Sequence, residues 1–121
     1  MRTVITGLPR AGKSTAAKGM PNVRSCDAMK DTHSFEDAGR AVAGWMGGTE
    51  PSTIEGVAAV RGLRHWLQDN PTGKPCDTVV WMGVEKVPLS EGQRPMAKGI
   101  QTVWNQIRPE LERRGVKVEH R

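Results

Sequence analysis

Cysteine is scarce in this 121-residue sequence: Cys26 and Cys76 are the two thiols, too few for a disulfide framework and without the spacing of a metal site. Each reads as a buried or bystander thiol. No run approaches the ~18 consecutive apolar residues that a membrane span needs, and the N-terminus has no signal-peptide pattern. The expectation is a soluble, cytoplasmic chain with no membrane partner. His33, His65 and His120 are dispersed, with no cysteine or carboxylate at ligand spacing, which argues against a histidine-based metal centre. Internal repeats, low-complexity tracts and domain boundaries are also missing, so the length is read as one domain over residues 1–121.

What is present is a mild excess of positive charge. The formal net charge is +5; residues 1–60 hold 7 Lys/Arg against 6 Asp/Glu, and residues 61–121 hold 11 against 7. A basic second half suits an anionic partner such as a nucleotide or nucleic acid, although the scattered charges equally describe a solvated face.

Hydrophobic patterning gives alternating strands and helices. Residues 1–6 form a β-rich run ending at Gly7, and a short helix starts near Lys13 and stops at Gly19 and Pro21. Residues 22–26 read as a second strand. Ser34 and Asp37 resemble a capping box, with Ala38, Ala41, Val42 and Trp45 at helical spacing after it. Residues 47–52 read as a loop, and Val57, Val60, Leu63 and Leu67 mark a third helix, in which Gly56 and Gly62 are poor helix formers. Thr78–Met82 is apolar on both faces and is expected to be the central strand. From Met96 the stripe Ile100, Val103, Ile107 and Leu111 predicts a helix that kinks or restarts at Pro109 and ends at Gly115, before a last strand at residues 116–118. The pattern predicts an α/β fold: a three-layer domain with about four parallel strands and helices on both faces. An open edge at the last strand makes a homo-oligomer a further expectation.

One motif carries chemistry. Gly7-Leu8-Pro9-Arg10-Ala11-Gly12-Lys13-Ser14 fits G-x-x-x-x-G-K-[ST], is followed by Thr15, and lies between a predicted strand and a predicted helix. Glycine is favoured where backbone N–H groups must wrap phosphate oxygens at close range. Lys13 is placed to bridge β- and γ-phosphates and the Ser14 hydroxyl to ligate Mg²⁺, with the helix N-terminus adding partial positive charge. Residues 7–15 are therefore the candidate nucleotide-binding segment. Arg10 either reaches a phosphate or lies in solvent.

Asp27 follows the second predicted strand. In an open parallel sheet the C-terminal strand ends share one crevice, which puts this carboxylate across from the phosphate loop as a candidate general base. A helix N-cap is the other reading, and the two roles are compatible. Lys30, one turn later, is either a contact to substrate or transition state, or a surface lysine. Trp45, Trp66 and Trp104 fall on or beside helical apolar stripes and read as core or interface; Trp66, next to Arg64 and His65, is also a candidate stacking platform.

The phosphate loop, the strand after it and Asp27-Ala28-Met29-Lys30 resemble the P-loop kinase domain of the bacteriophage polynucleotide 5′-hydroxyl kinases and related small P-loop kinases. The order of elements is similar over nearly the whole chain, while only the phosphate loop is specific. The resemblance implies transfer of the γ-phosphate of ATP, with Mg²⁺, to a hydroxyl: a DNA or RNA 5′ end, or a nucleoside or nucleotide. It assigns phosphate and Mg²⁺ handling to Lys13 and Ser14, hydroxyl activation to Asp27, and places Lys30 where the family has arginine, which loses a bidentate fork. Two departures accompany it. The strand at Thr78–Met82 ends in Trp81-Met82-Gly83, with Glu85 the first carboxylate, either a Mg²⁺ acid or a surface glutamate. The family continues past its last strand with an arginine-bearing lid, whereas this sequence stops at Arg121; Arg94 is the internal candidate to supply charge in its place. The alternatives are a nucleotide-binding regulatory protein with reduced catalysis and an NTP-hydrolysing interaction module.

Overall fold

The computed structural model describes residues 2–8, 13–20, 22–26, 35–47, 51–83 and 90–121, without the side chains of Ser14, Thr15, Phe35 and Glu36. Among these residues the chain runs β1 (Arg2–Gly7), α1 (Lys13–Ala17), β2 (Val23–Ser25), α2 (Phe35–Ala43), β3 (Ser52–Glu55), α3 (Ala59–Asp69), β4 (Thr78–Met82), α4 (Gln93–Arg113) and β5 (Lys117–His120). The five strands form one sheet in the order β2-β3-β1-β4-β5, and each neighbouring pair is parallel.

The fold is thus α/β with a small parallel sheet, and the strand count is five where the sequence suggested about four. The added strand is β3, which falls partly in the segment read as a loop. It is only four residues long, follows Pro51, and ends in a carboxylate and a glycine, so it shows neither alternation nor an apolar run. β4 occupies its predicted residues but is not the middle strand. That place belongs to β1, with β4 between β1 and β5.

The helices divide unequally between the two faces. Val4, Ile54, Val79 and Trp81 join residues of α2, α3 and α4 in the main core, including Val42, Leu63, Ile100, Trp104 and Leu111. On the other face Ile5, Val80 and Met82 pack with Ala17 of α1, and Ala16 and Met20 lie against them. Right-handed crossovers account for this division: the chain steps outward once, from β1 to β2, and every later connection steps back the other way.

Two helix features follow from particular residues. α2 and α3 approach closely because Gly39 and Gly62 face the contact: a Cβ on Gly62 would lie 2.7 Å from Val42 Cγ1, and one on Gly39 would lie 2.9 Å from Arg61 Cβ. Gly62, a weak point in propensity terms, is a packing residue. α4 runs through Pro109 as one helix of 21 residues, with no restart. Proline removes a hydrogen bond to Asn105, and both residues are exposed, so the freed carbonyl lies on the solvent side. The helix ends in a Schellman turn: Gly115 N–H donates to the Glu112 carbonyl at 3.1 Å and Val116 N–H to the Leu111 carbonyl at 3.0 Å, with Gly115 at φ +88° and Leu111 and Val116 both buried.

The tryptophans expected in the core are partly there. Trp104 is buried and stacks on Trp81 with centroids 4.7 Å apart and an interplanar angle of 1°, while Trp45 and Trp66 are half-buried at the rim of the main core.

Candidate functional site

All strands point the same way, so their C-terminal ends line one edge of the sheet. β1 reaches that edge at Gly7, β2 at Ser25, β3 at Glu55 and β4 at Met82. Gly7 has φ +148°, and a Cβ there would lie 2.2 Å from the Met82 carbonyl oxygen; no other residue fits. Leu8 N–H donates to that same carbonyl at 3.0 Å. On the other side, the turn after β3 is tied to β1: Gly56 N–H donates to the Ile5 carbonyl at 3.0 Å, and the buried Thr6 hydroxyl donates to the Gly56 carbonyl at 2.9 Å. The root of the glycine-rich segment is thereby held from both neighbouring strands.

The segment returns to helical backbone at Lys13, the first residue of α1. Lys13 is only 6% exposed, and its Nζ donates to the Leu8 carbonyl at 2.5 Å. The ammonium therefore folds back over the residues that precede it. Ala17, one turn on, seats α1 against Ile5, Val80 and Met82.

Pro9, Arg10, Ala11 and Gly12 lie outside the described residues, as do Asp27, Lys30 and Glu85 and the side chains of Ser14 and Thr15. In sequence, Asp27 comes directly after buried Cys26 and two residues after the end of β2, whose terminal Ser25 stands opposite Glu55. Arg94 is exposed, the second residue of α4, which follows the segment leaving β4 at the same sheet edge.

Sequence reasoning missed Glu55. It ends β3, stands opposite Ile5 of β1, and is 3% exposed, yet its Oε2 has no hydrogen-bond partner. Because side chains alternate along a strand, Glu55 projects on the face that carries Ile5 and α1. A carboxylate oxygen removed from water without a donor is costly and calls for an explanation, such as a cation or donor supplied by a ligand. The signal in the sequence is slight: Ser-Thr-Ile-Glu-Gly is a short β-branched run ending in an acid and a glycine.

Neither the protein-family models nor the curated proteins match this sequence. The functional reading therefore rests on the motif and on the geometry of this sheet edge.

Proposed function

We propose that the protein is a P-loop phosphotransferase that moves the γ-phosphate of ATP to a hydroxyl acceptor, a nucleic-acid 5′-OH or a nucleoside or nucleotide. The observation that carries this reading is the G-x-x-x-x-G-K-S segment leaving the middle strand of a parallel sheet at Gly7, with Lys13 folded over it and the unpartnered Glu55 carboxylate beside its root. The strand order, with the phosphate-loop strand between β3 and β4, agrees with a P-loop kinase domain.

In this reading residues 7–15 hold the triphosphate. Lys13 leaves the Leu8 carbonyl for the phosphate oxygens and offsets the charge that builds up as the phosphoryl group transfers. Ser14 and Glu55 are the residues that would hold Mg²⁺; the orphaned, buried carboxylate oxygen fits a hard cation that prefers oxygen ligands. When bound, Mg²⁺ neutralises phosphate charge. Asp27 accepts the proton of the acceptor hydroxyl as its oxygen forms a bond to the γ-phosphorus. The bond between the γ-phosphorus and the β–γ bridging oxygen breaks, and ADP leaves. Lys30 and Arg94 are cations within the sequence that can contact the acceptor or the transferring group.

The test is Asp27→Asn. Phosphoryl transfer from γ-labelled ATP is expected to be abolished with ATP binding nearly unchanged. Transfer that survives the substitution contradicts the base assignment, and binding without transfer to any acceptor by the wild type moves the protein to a nucleotide-binding regulatory role.

A further inference from the structure

The opposite edge of the sheet carries a groove. Arg2, Val23 and Ser52 open β1, β2 and β3, and with Asn22, Arg24, Trp45, Met46 and Ile54 they line a groove of about 780 Å³, within the ~300–1,000 Å³ usual for small-ligand sites. In a parallel sheet this is the end away from Gly7. Arg24 and Ile54 stand in register with Val4, three residues before Gly7, so at roughly 3.3 Å per residue even the nearest part of the lining lies about 10 Å along the strands from the start of the phosphate loop.

The groove is built from chemistry suited to a planar anion. Arg24 is exposed, and its guanidinium carbon lies over the Trp45 ring, 5.4 Å from the centroid. Arg2 Nη2 donates to the Trp45 carbonyl at 2.6 Å, which fixes the backbone that presents the indole. Asn22, at φ +48°, donates from its side chain to the Pro51 carbonyl at 2.9 Å and so joins the entry of β2 to that of β3. Among the described residues, the lining contains two guanidinium groups and one indole and no carboxylate. An exposed arginine–aromatic contact is worth only ~0.5–1 kcal/mol, so Arg24 can exchange the ring for a phosphate.

We propose that this groove is a second nucleotide site, which takes a nucleoside 5′-phosphate unit with its base on Trp45 and its phosphate on Arg24. The unit is either a free mononucleotide or one residue of a single strand, since both present the same base and phosphate. The site is independent of the phosphate loop and stands whether or not the protein transfers phosphate.

Calorimetric titration with AMP, with UMP, with a five-nucleotide single-stranded DNA and with inorganic phosphate tests it, alongside Trp45 fluorescence assigned by Trp45→Phe. In the Lys13→Ala variant, saturable binding of a mononucleotide or of the oligonucleotide is expected to remain, with quenching of Trp45; the tighter of the two identifies the source. Arg24→Gln, at an exposed position, is expected to weaken that binding about tenfold, a change of ~1.4 kcal/mol, and to leave ATP binding at the phosphate loop unchanged. Should Lys13→Ala not fold, a wild-type isotherm with two classes of site, one of them weakened about tenfold by Arg24→Gln, supports the same conclusion. Absence of binding outside the phosphate loop, insensitivity to Arg24→Gln, or inorganic phosphate binding as tightly as the nucleotides would overturn the proposal.

Discussion

Glu55 stands opposite Ile5 in the parallel β1–β3 pair, two residues before β1 ends at Gly7. A buried carboxylate with an unpartnered oxygen therefore lies beside the root of the glycine-rich segment proposed to hold phosphate. Glu55→Gln keeps the shape and removes the charge. Mg²⁺-dependent nucleotide affinity is expected to fall by about 10- to 100-fold, the range seen when a residue supporting a metal site is lost. Nucleotide binding measured without Mg²⁺ should change little. Equal losses with and without Mg²⁺ would show that Glu55 serves the fold alone.

Gly62 predicts a packing cost. The added methyl of Gly62→Ala would meet Val42 Cγ1 at 2.7 Å and Val42 Cβ at 2.9 Å, and Val42 is fully buried. Alanine is worth about 1 kcal/mol more than glycine in a helix, but overpacking costs typically ~1–3 kcal/mol. Net destabilisation of about 1 kcal/mol is expected from urea denaturation. Stabilisation would mean that the α2–α3 crossing relaxes freely.

Arg114 joins the end of α3 to α4. Its guanidinium donates to the Asn70 carbonyl at 2.6 Å, the Gly73 carbonyl at 3.2 Å and the Leu67 carbonyl at 3.3 Å, and to Glu110 at 2.8 Å. Its side chain is only 7% exposed. Arg114→Ala leaves several carbonyls without this donor and is expected to cost about 2 kcal/mol in urea denaturation, with Arg114→Lys recovering only part. An alanine variant as stable as the wild type contradicts this role.

The same cluster makes a pH prediction. Hydrogen bonds from Arg113 and Arg114 lower the Glu110 carboxyl from 4.5 to about 2. A depressed carboxylate stabilises the fold above its unfolded value and loses that contribution as pH falls from about 4.5 towards 2. The effect is modest, because Glu110 is solvent-accessible and its ion pairs are screened. Urea midpoints of wild type and Glu110→Gln should differ at pH 5 and converge near pH 2; a constant gap contradicts the linkage.

Thiol reactivity checks the core. Burial pushes the Cys76 thiol from 9.0 up to about 12, and Cys26 is also buried. Both should be silent to a thiol reagent at pH 8 in the native protein and both should react in denaturant, since the thiolate is the reactive form. Fast native labelling of Cys76 would contradict its placement.

Much of the fold was legible because periodicity survives where elements are long or wholly apolar: β4 lies at its predicted residues, and α3 and α4 follow their stripes. β3 was not, because a four-residue strand with Pro51 before it and Glu55 at its end shows neither pattern. Its loss hid the carboxylate beside the glycine-rich segment, since Glu55 acquires meaning only from its register with Ile5. Pro109 misled in the other direction: proline breaks a helix when the freed carbonyl is buried, and here that carbonyl is exposed. The G-x-x-x-x-G-K-S segment stands out in the sequence because phosphate-loop chemistry demands fixed residue types at fixed spacing, and its role is the one proposed above. Asp27 and Lys30 rest on spacing and resemblance.

The most direct test of the central claim is transfer of label from γ-labelled ATP in the presence of Mg²⁺ to a 5′-hydroxyl oligonucleotide and a nucleoside mixture, with Lys13→Ala as control. The expected result is label on one acceptor class, reduced at least ~100-fold in the control, as for loss of a group that stabilises transition-state charge. Acceptor label no higher than in the Lys13→Ala control would contradict the assignment of this protein as a phosphotransferase.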